Sequence, residues 1–261
     1  MLTGMLYFIV ILISNVIGAI SGMGGGIIIK PVLDFIGGHA VAEISFFSSV
    51  AVFTMSVVST IHQFSEKKEM NGQLILWVSS GAVIGGMMGN RLFDYLLTVF
   101  VSSNQVQLIQ ILLTILTLVF AFIYSFGNWR SYTFESFFWY LFCGFLLGFL
   151  ASLLGIGGGP INVSLLMLLF SMTIKEATMY SICIIFFSQL AKLMTIFMTT
   201  GIQQYDLSTL VFIIPAAVLG GIIGSKLSNW LSSNNVKIVF QAAILLVIGL
   251  NVYNGWQLCQ M

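Results

Sequence analysis

Charge is what this chain of 261 residues has least of. Lys and Arg together number 9 and Asp and Glu 8, or 7% of the residues. Soluble domains carry about 25%, so a water-facing surface is excluded for most of the length. The formal net charge of +1 offers no basic field to nucleic acid. The two histidines, His39 and His62, lack metal-ligand spacing. The three cysteines, Cys143, Cys183 and Cys259, fall in apolar segments without a CxxC pair. They read as small core residues, and neither a metal nor a cofactor is expected. No Walker, HExxH or GxSxG motif occurs, which leaves nucleotide hydrolysis and the commonest hydrolase chemistries without their residues.

What remains is apolar. Hydrophobic residues make up 59% of the chain and the mean hydropathy is +1.07. Apolar segments run at 5–21 with 26–37, 40–62, 72–97, 105–126, 137–154 with 160–172, 176–200, 207–231 and 236–257. Several exceed the ~20 residues that cross a bilayer as a helix. Most of the charge sits between them, in loops such as Ser65-Glu66-Lys67-Lys68-Glu69 and Gly127-Asn128-Trp129-Arg130-Ser131. Trp129, Tyr132, Trp139, Tyr140, Trp230, Tyr253 and Trp256 gather at segment ends, as interfacial anchors do. Residues 1–21 lack a basic leader and have a counterpart at 137–155, so they read as mature sequence rather than a signal.

One glycine-rich phrase occurs twice, as Gly22-Met23-Gly24-Gly25-Gly26 and as Gly155-Ile156-Gly157-Gly158-Gly159-Pro160. The repeat continues: Glu43 matches Glu176, Ser48 matches Ser181 and Phe53 matches Phe186. The run Val83-Ile84-Gly85-Gly86-Met87-Met88-Gly89 matches Val218-Leu219-Gly220-Gly221-Ile222-Ile223-Gly224. Residues 1–127 and 128–261 are therefore read as two transmembrane repeats. The segments at 5–37 and 137–172 are too long for one crossing and too short for two. A re-entrant hairpin turning at the glycines resolves this. Each half then crosses three times net, and the second half is inverted. In that arrangement Lys67, Lys68, Arg130, Lys175, Lys226 and Lys237 share one face and Arg91 lies on the other. Positive residues collect on the cytoplasmic side, which puts both termini outside. The expected fold is an all-α polytopic membrane protein with two inverted repeats. Each is a glycine-broken hairpin followed by three transmembrane helices.

Broken helices in lipid are tolerated where the freed backbone is buried in protein or lines a cavity, and duplicated breaks mark transporter sites. Gly24, Gly25, Gly26, Gly157, Gly158 and Gly159 are the first candidates. Their N–H groups and the dipole of the following helix suit an anion, while close helix packing is the alternative. For Gly85, Gly86 and Gly89 and for Gly220, Gly221 and Gly224 packing is the reading. Pro160 suits a first helical turn, and Asn162 follows it. Ser181, Ser188, Lys192, Thr195 and Thr199 form one helical face bordered by Gln189. Ser45, Ser49, Ser56, Ser59 and Gln63 form its counterpart, with Ser48 beside them. These faces line a pathway or join helices.

Lys192 has no acid three or four positions away. A charge at a helix centre costs about 3 kcal/mol, so a bound anion, a distant acid such as Asp34, or snorkelling must answer for it. Lys30 has Asp34 one turn on, and Glu43 and Glu176 read as helix caps. Pro215 reads as a kink.

The two glycine phrases, the run Ile27-Ile28-Ile29-Lys30-Pro31 and the paired halves resemble the sulfite exporter TauE/SafE family over essentially the whole chain. The resemblance implies a multi-pass plasma-membrane permease for a small organosulfur anion such as sulfite or a sulfonate, with Lys30 where an apolar residue is expected. The expected mechanism is alternating access, with lipid and a small anion as partners. A coupling proton or ion and a homo-oligomer are compatible with it. A passive anion channel shares the same polar lining, and an intramembrane enzyme or a structural subunit are the remaining classes.

Overall fold

The computed structural model describes residues 2–65, 71–100, 102–127, 130–156, 158–199, 201 and 203–260. Lys67, Lys68, Trp129 and Gly157 lie outside them. The chain is all-α. In order come α1 (Leu2–Ser21), α2 (Gly26–Ile36), α3 (Val41–Ser65), α4 (Gly72–Val99) and α5 (Ser103–Phe126). Then follow α6 (Phe137–Leu154), α7 (Pro160–Phe170), α8 (Ile174–Thr199), a 3-10 turn at Leu207–Thr209, α9 (Leu210–Trp230) and α10 (Ser233–Gln260). Eight of these are long and apolar enough to cross a membrane; α2 and α7, at 11 residues each, are not among them. At 1.5 Å per residue each short helix covers about 16 Å, half a bilayer core.

Local chemistry sets the helix ends. The side chain of Asn71 accepts from the N–H groups of Gln73 and Leu74 and starts α4. Thr173 and Glu176 form a reciprocal capping box at α8. Glu43, expected as a cap, instead accepts from His39 at 2.8 Å and from the N–H of Asp206 at 3.0 Å, tying α3 to the turn before α9. Asp206 in turn accepts from the Ser208 hydroxyl and then its backbone N–H, which holds its carboxyl below the usual carboxylate range. Gly155 ends α6 in the left-handed conformation, φ +68°, where a Cβ is unfavourable.

Both half-length helices fold back on the helix before them. The Tyr7 ring of α1 lies 5.7 Å from that of His39, in the link that follows α2, and those of Tyr140 and Phe170 lie 5.2 Å apart across α6 and α7. Glycine lets the remaining helices approach closely. Gly81, Gly85 and Gly89 of α4 face the backbone of Leu141, Phe145 and Phe149 on α6, while Gly144 and Gly148 face Val78 and Ala82 in return. Gly220 and Gly224 of α9 face Leu12, Asn15, Val16 and Ala19 of α1 in the same manner. These two interfaces are the most extensive between helices. Both are parallel, and both join the first half of the chain to the second.

Helix α3 runs antiparallel to α8, with Ser45 beside Lys192 and Phe53 stacked on Phe186 at 5.6 Å. The molecule therefore has two distinct ends. At one, Asn71 meets Tyr180, Ser131 meets Ser171, Lys175 meets Asn229 and Ser125 meets Gln241. At the other, Tyr7 meets His39, and Phe46 stacks on Tyr205 at 4.3 Å. Cys143 and Cys183 are buried as expected, but Cys259 is exposed. It lies in the last turn of α10, beyond the packed part of the helix.

Candidate functional site

The two glycine turns meet each other at the centre of the bundle. A Cβ on Gly26 would strike the Ile156 carbonyl and come within 2.8 Å of the Ser48 hydroxyl. A Cβ on Gly158, whose φ is +136°, would sit 2.7 Å from the Ile185 side chain and 3.3 Å from the Met23 carbonyl. Each turn is also fastened to the long helix of the opposite half. The Gly22 carbonyl accepts from Ser181 of α8 at 2.6 Å. The Cβ position of Gly155 lies 2.7 Å from Ser45 Oγ of α3 and 3.2 Å from Lys30 Cε.

Two ammonium groups reach this junction. Lys192 is 1% exposed, and its Nζ donates to Ser45 Oγ at 2.9 Å. Its charged neighbours are Lys30, which repels it, and Asp94 of α4, which attracts it. Asn90 holds that carboxylate through a bond of 3.1 Å. Lys30 is 4% exposed and donates to Gln110 Oε1 of α5 at 2.7 Å, with Asp34 Oδ2 at 3.6 Å. Gln110 donates in turn to the Leu153 carbonyl at 2.7 Å.

Polar atoms without partners concentrate on the surrounding helices: the Ser48 and Ser152 hydroxyls, Asn162 Oδ1, and both side-chain heteroatoms of Asn15 and of Gln189. A buried polar group left unpaired costs about 1–3 kcal/mol. Buried polar atoms of this kind mark places where water or a ligand completes the hydrogen bonding.

The model of the sulfite exporter TauE/SafE family matches residues 7–252. The chain belongs to the sulfite exporter TauE/SafE family. A probable membrane transporter protein of Bacillus subtilis, YunE, is 23% identical to it over 94% of this chain and 95% of its own. A second, MJ0441 of Methanocaldococcus jannaschii, is 26% identical over 94% and 93%. No solved structure matches the chain at a significant level. It is thus a multi-pass membrane transporter of the TauE/SafE family, a class that is not enzymatic.

Within this TauE/SafE chain the sequence-derived candidates divide. Gly26, Gly158, Ser45, Ser48, Ser181 and Lys192 converge on the junction. Gly24 adopts φ +75°, and its N–H is taken by the Gly18 carbonyl at 3.4 Å. Gly25 precedes α2 in ordinary helical geometry and packs on Asn15. Gly159 is extended, with side-chain methyls no closer than 3.4 Å to its Cβ position, so space does not require glycine there. Asn162 and Gln189 are buried with unpartnered atoms. Ser188 bonds back to the Ile185 carbonyl at 3.1 Å and offers no free hydrogen.

Lys192 does not snorkel, and its acid is Asp94 rather than Asp34, which pairs with Lys30. Gln110, Asn90 and Asp94 were not visible in the sequence. Gln110 follows Gln105 and Gln107 at the start of an apolar run, and only the fold brings it to a lysine 80 positions away.

Proposed function

We propose that this chain moves a small anion, an organosulfur anion such as sulfite or a sulfonate, across the membrane by alternating access, and that the anion binds where the two glycine turns meet. The observation that carries this is Lys192, a fully buried ammonium whose one hydrogen bond among the described residues is to a serine at that junction. An ammonium has three donors, so two remain to face a ligand. The names of the relatives and of the family support transport.

The same reading takes the two halves as inverted repeats. Antiparallel packing of α3 on α8 supports this, as does the placement of both short helices with their N-termini toward the centre. Two halves related in this way can rock against each other around a fixed site. A proton or ion gradient would drive the cycle.

The test is calorimetric titration of sulfite, sulfate and small sulfonates into purified protein, with Lys192→Met beside it. Loss of about tenfold or more in affinity is expected, because a charge-assisted contact contributes about 1.5–3 kcal/mol. Unchanged affinity in a folded Lys192→Met variant removes this residue from the site. Reconstituted vesicles add a second test: with the membrane potential clamped at zero, alternating access accelerates labelled uptake when unlabelled anion fills the lumen, and an open pore does not.

A further inference from the structure

Lys30 is more than the partner of Asp34. It is the fifth residue of α2, and its side chain reaches across to the second glycine turn, with Cε 3.2 Å from the Cβ position of Gly155. Ser45 Oγ is 2.7 Å from that same point and accepts from Lys192 Nζ at 2.9 Å. The Lys30 stem from one half, and the serine that takes the Lys192 ammonium of the other, thus flank the space that one methyl group would fill.

An i,i+4 ion pair alone explains none of this. The carboxylate of Asp34 is 3.6 Å from Lys30 Nζ, longer than the 2.7 Å bond to Gln110 Oε1. Gln110 is itself anchored, donating to the Leu153 carbonyl at 2.7 Å. Its amide is fixed at both ends and holds the Lys30 head at the second turn. Two like charges repel strongly away from water. A ligand lying between them relieves the repulsion in proportion to its own negative charge.

We propose that Lys30 is the second cation of the anion site, positioned by Gln110, and that it makes the site select doubly charged over singly charged small oxyanions. This rests on the reading that the junction binds an anion. Lys192 is the cation that any anion meets; Lys30 reads the second charge.

The test replaces the pair as a unit. Lys30→Met with Asp34→Leu removes both charges and leaves no orphaned carboxylate in the interior. Affinities for sulfate and methanesulfonate, which share a head and differ by one charge, are measured on purified protein by calorimetry. The intact protein is expected to prefer sulfate. The double variant should lose about tenfold or more for sulfate and less than about threefold for methanesulfonate. Gln110→Leu should lose part of the sulfate preference while its melting temperature in detergent stays measurable.

Unchanged affinities in a folded double variant would make the pair structural and overturn the proposal. Equal losses for both ligands would overturn charge selection. If the double variant does not fold, Lys30→Gln decides on the same two ligands. Loss of both affinities in Lys192→Met with neither lost in the double variant sinks Lys30 alone. No binding of either probe to the intact protein sinks the anion site itself.

Discussion

At the scale of single residues, the glycine turns separate into positions where nothing else fits and positions where something does. Gly26 has the backbone of the second turn against it. Gly158 combines φ +136° with an isoleucine at 2.7 Å. Gly159 has neither constraint. Gly26→Ala should therefore destabilise by about 1–3 kcal/mol, the usual range for an overpacked core. Gly159→Ala should stay within about 0.5 kcal/mol. Melting of both variants in detergent checks this, and equal losses would show that the junction is looser than its contacts imply. In sequence the three consecutive glycines look alike. What distinguishes them is which one touches the other turn, and that depends on packing between residues 130 positions apart. Lys192 was legible for the opposite reason. A charge in an apolar helix must be answered by something, and only its partners, Ser45 and Asp94, had to be seen.

Among helices, the glycines at four-residue spacing are what bring the halves together. On α4 and α6 they face each other's carbonyls, so any side chain there pushes two long helices apart. Gly85→Leu should leave little folded protein, read as aggregation on size-exclusion chromatography. Gly249 of α10 provides the contrast, since nothing lies within 4 Å of its Cβ position. Gly249→Ala should stabilise by about 0.4–1 kcal/mol, because alanine restricts the unfolded chain in a conformation it can adopt. A destabilised Gly249→Ala together with a tolerant Gly85→Leu would invert this assignment. Helix limits were legible to within a few residues because apolar length, polar loops and glycine breaks are local signals. The expected capping role of Glu176 is present as a full box with Thr173. That Glu43 instead bridges to Asp206 could not be read, because its acceptor atoms meet a loop 163 positions away. Gln110 was missed on the same ground: one of three glutamines at the start of α5, it carries no local sign of its lysine.

For the whole molecule, the sequence repeat was legible as matched words in order, and the packing of the first half of the chain against the second was not. Helix α1 packs along α9 and α4 along α6, so neither half encloses the junction by itself. Orientation follows from where the cations fall. Lys175 bonds to the Asn229 carbonyl, and Lys226 lies one turn before it. Lys237 shares a cavity of about 440 Å³ with Ser131, Ser171 and Ile174. Arg130 adjoins the Ser131–Ser171 contact, so these four cations lie at one end. Arg91 lies toward the far end of α4, where Tyr205 and Asp206 are found. Positive residues face the cytoplasm, so the end with Arg130 is expected inside and the end with Gln204 outside. Cysteines can report this in a Cys259→Ser background, since Cys143 and Cys183 are buried. A membrane-impermeant maleimide applied to intact cells should label Gln204→Cys and should reach Arg130→Cys only after the membrane is opened. Labelling of both positions from the same side would mean that an even number of crossings separates them, and the inverted arrangement of the two halves would fall with it. Labelling in the opposite sense would keep the inversion and reverse only the orientation drawn from the charges.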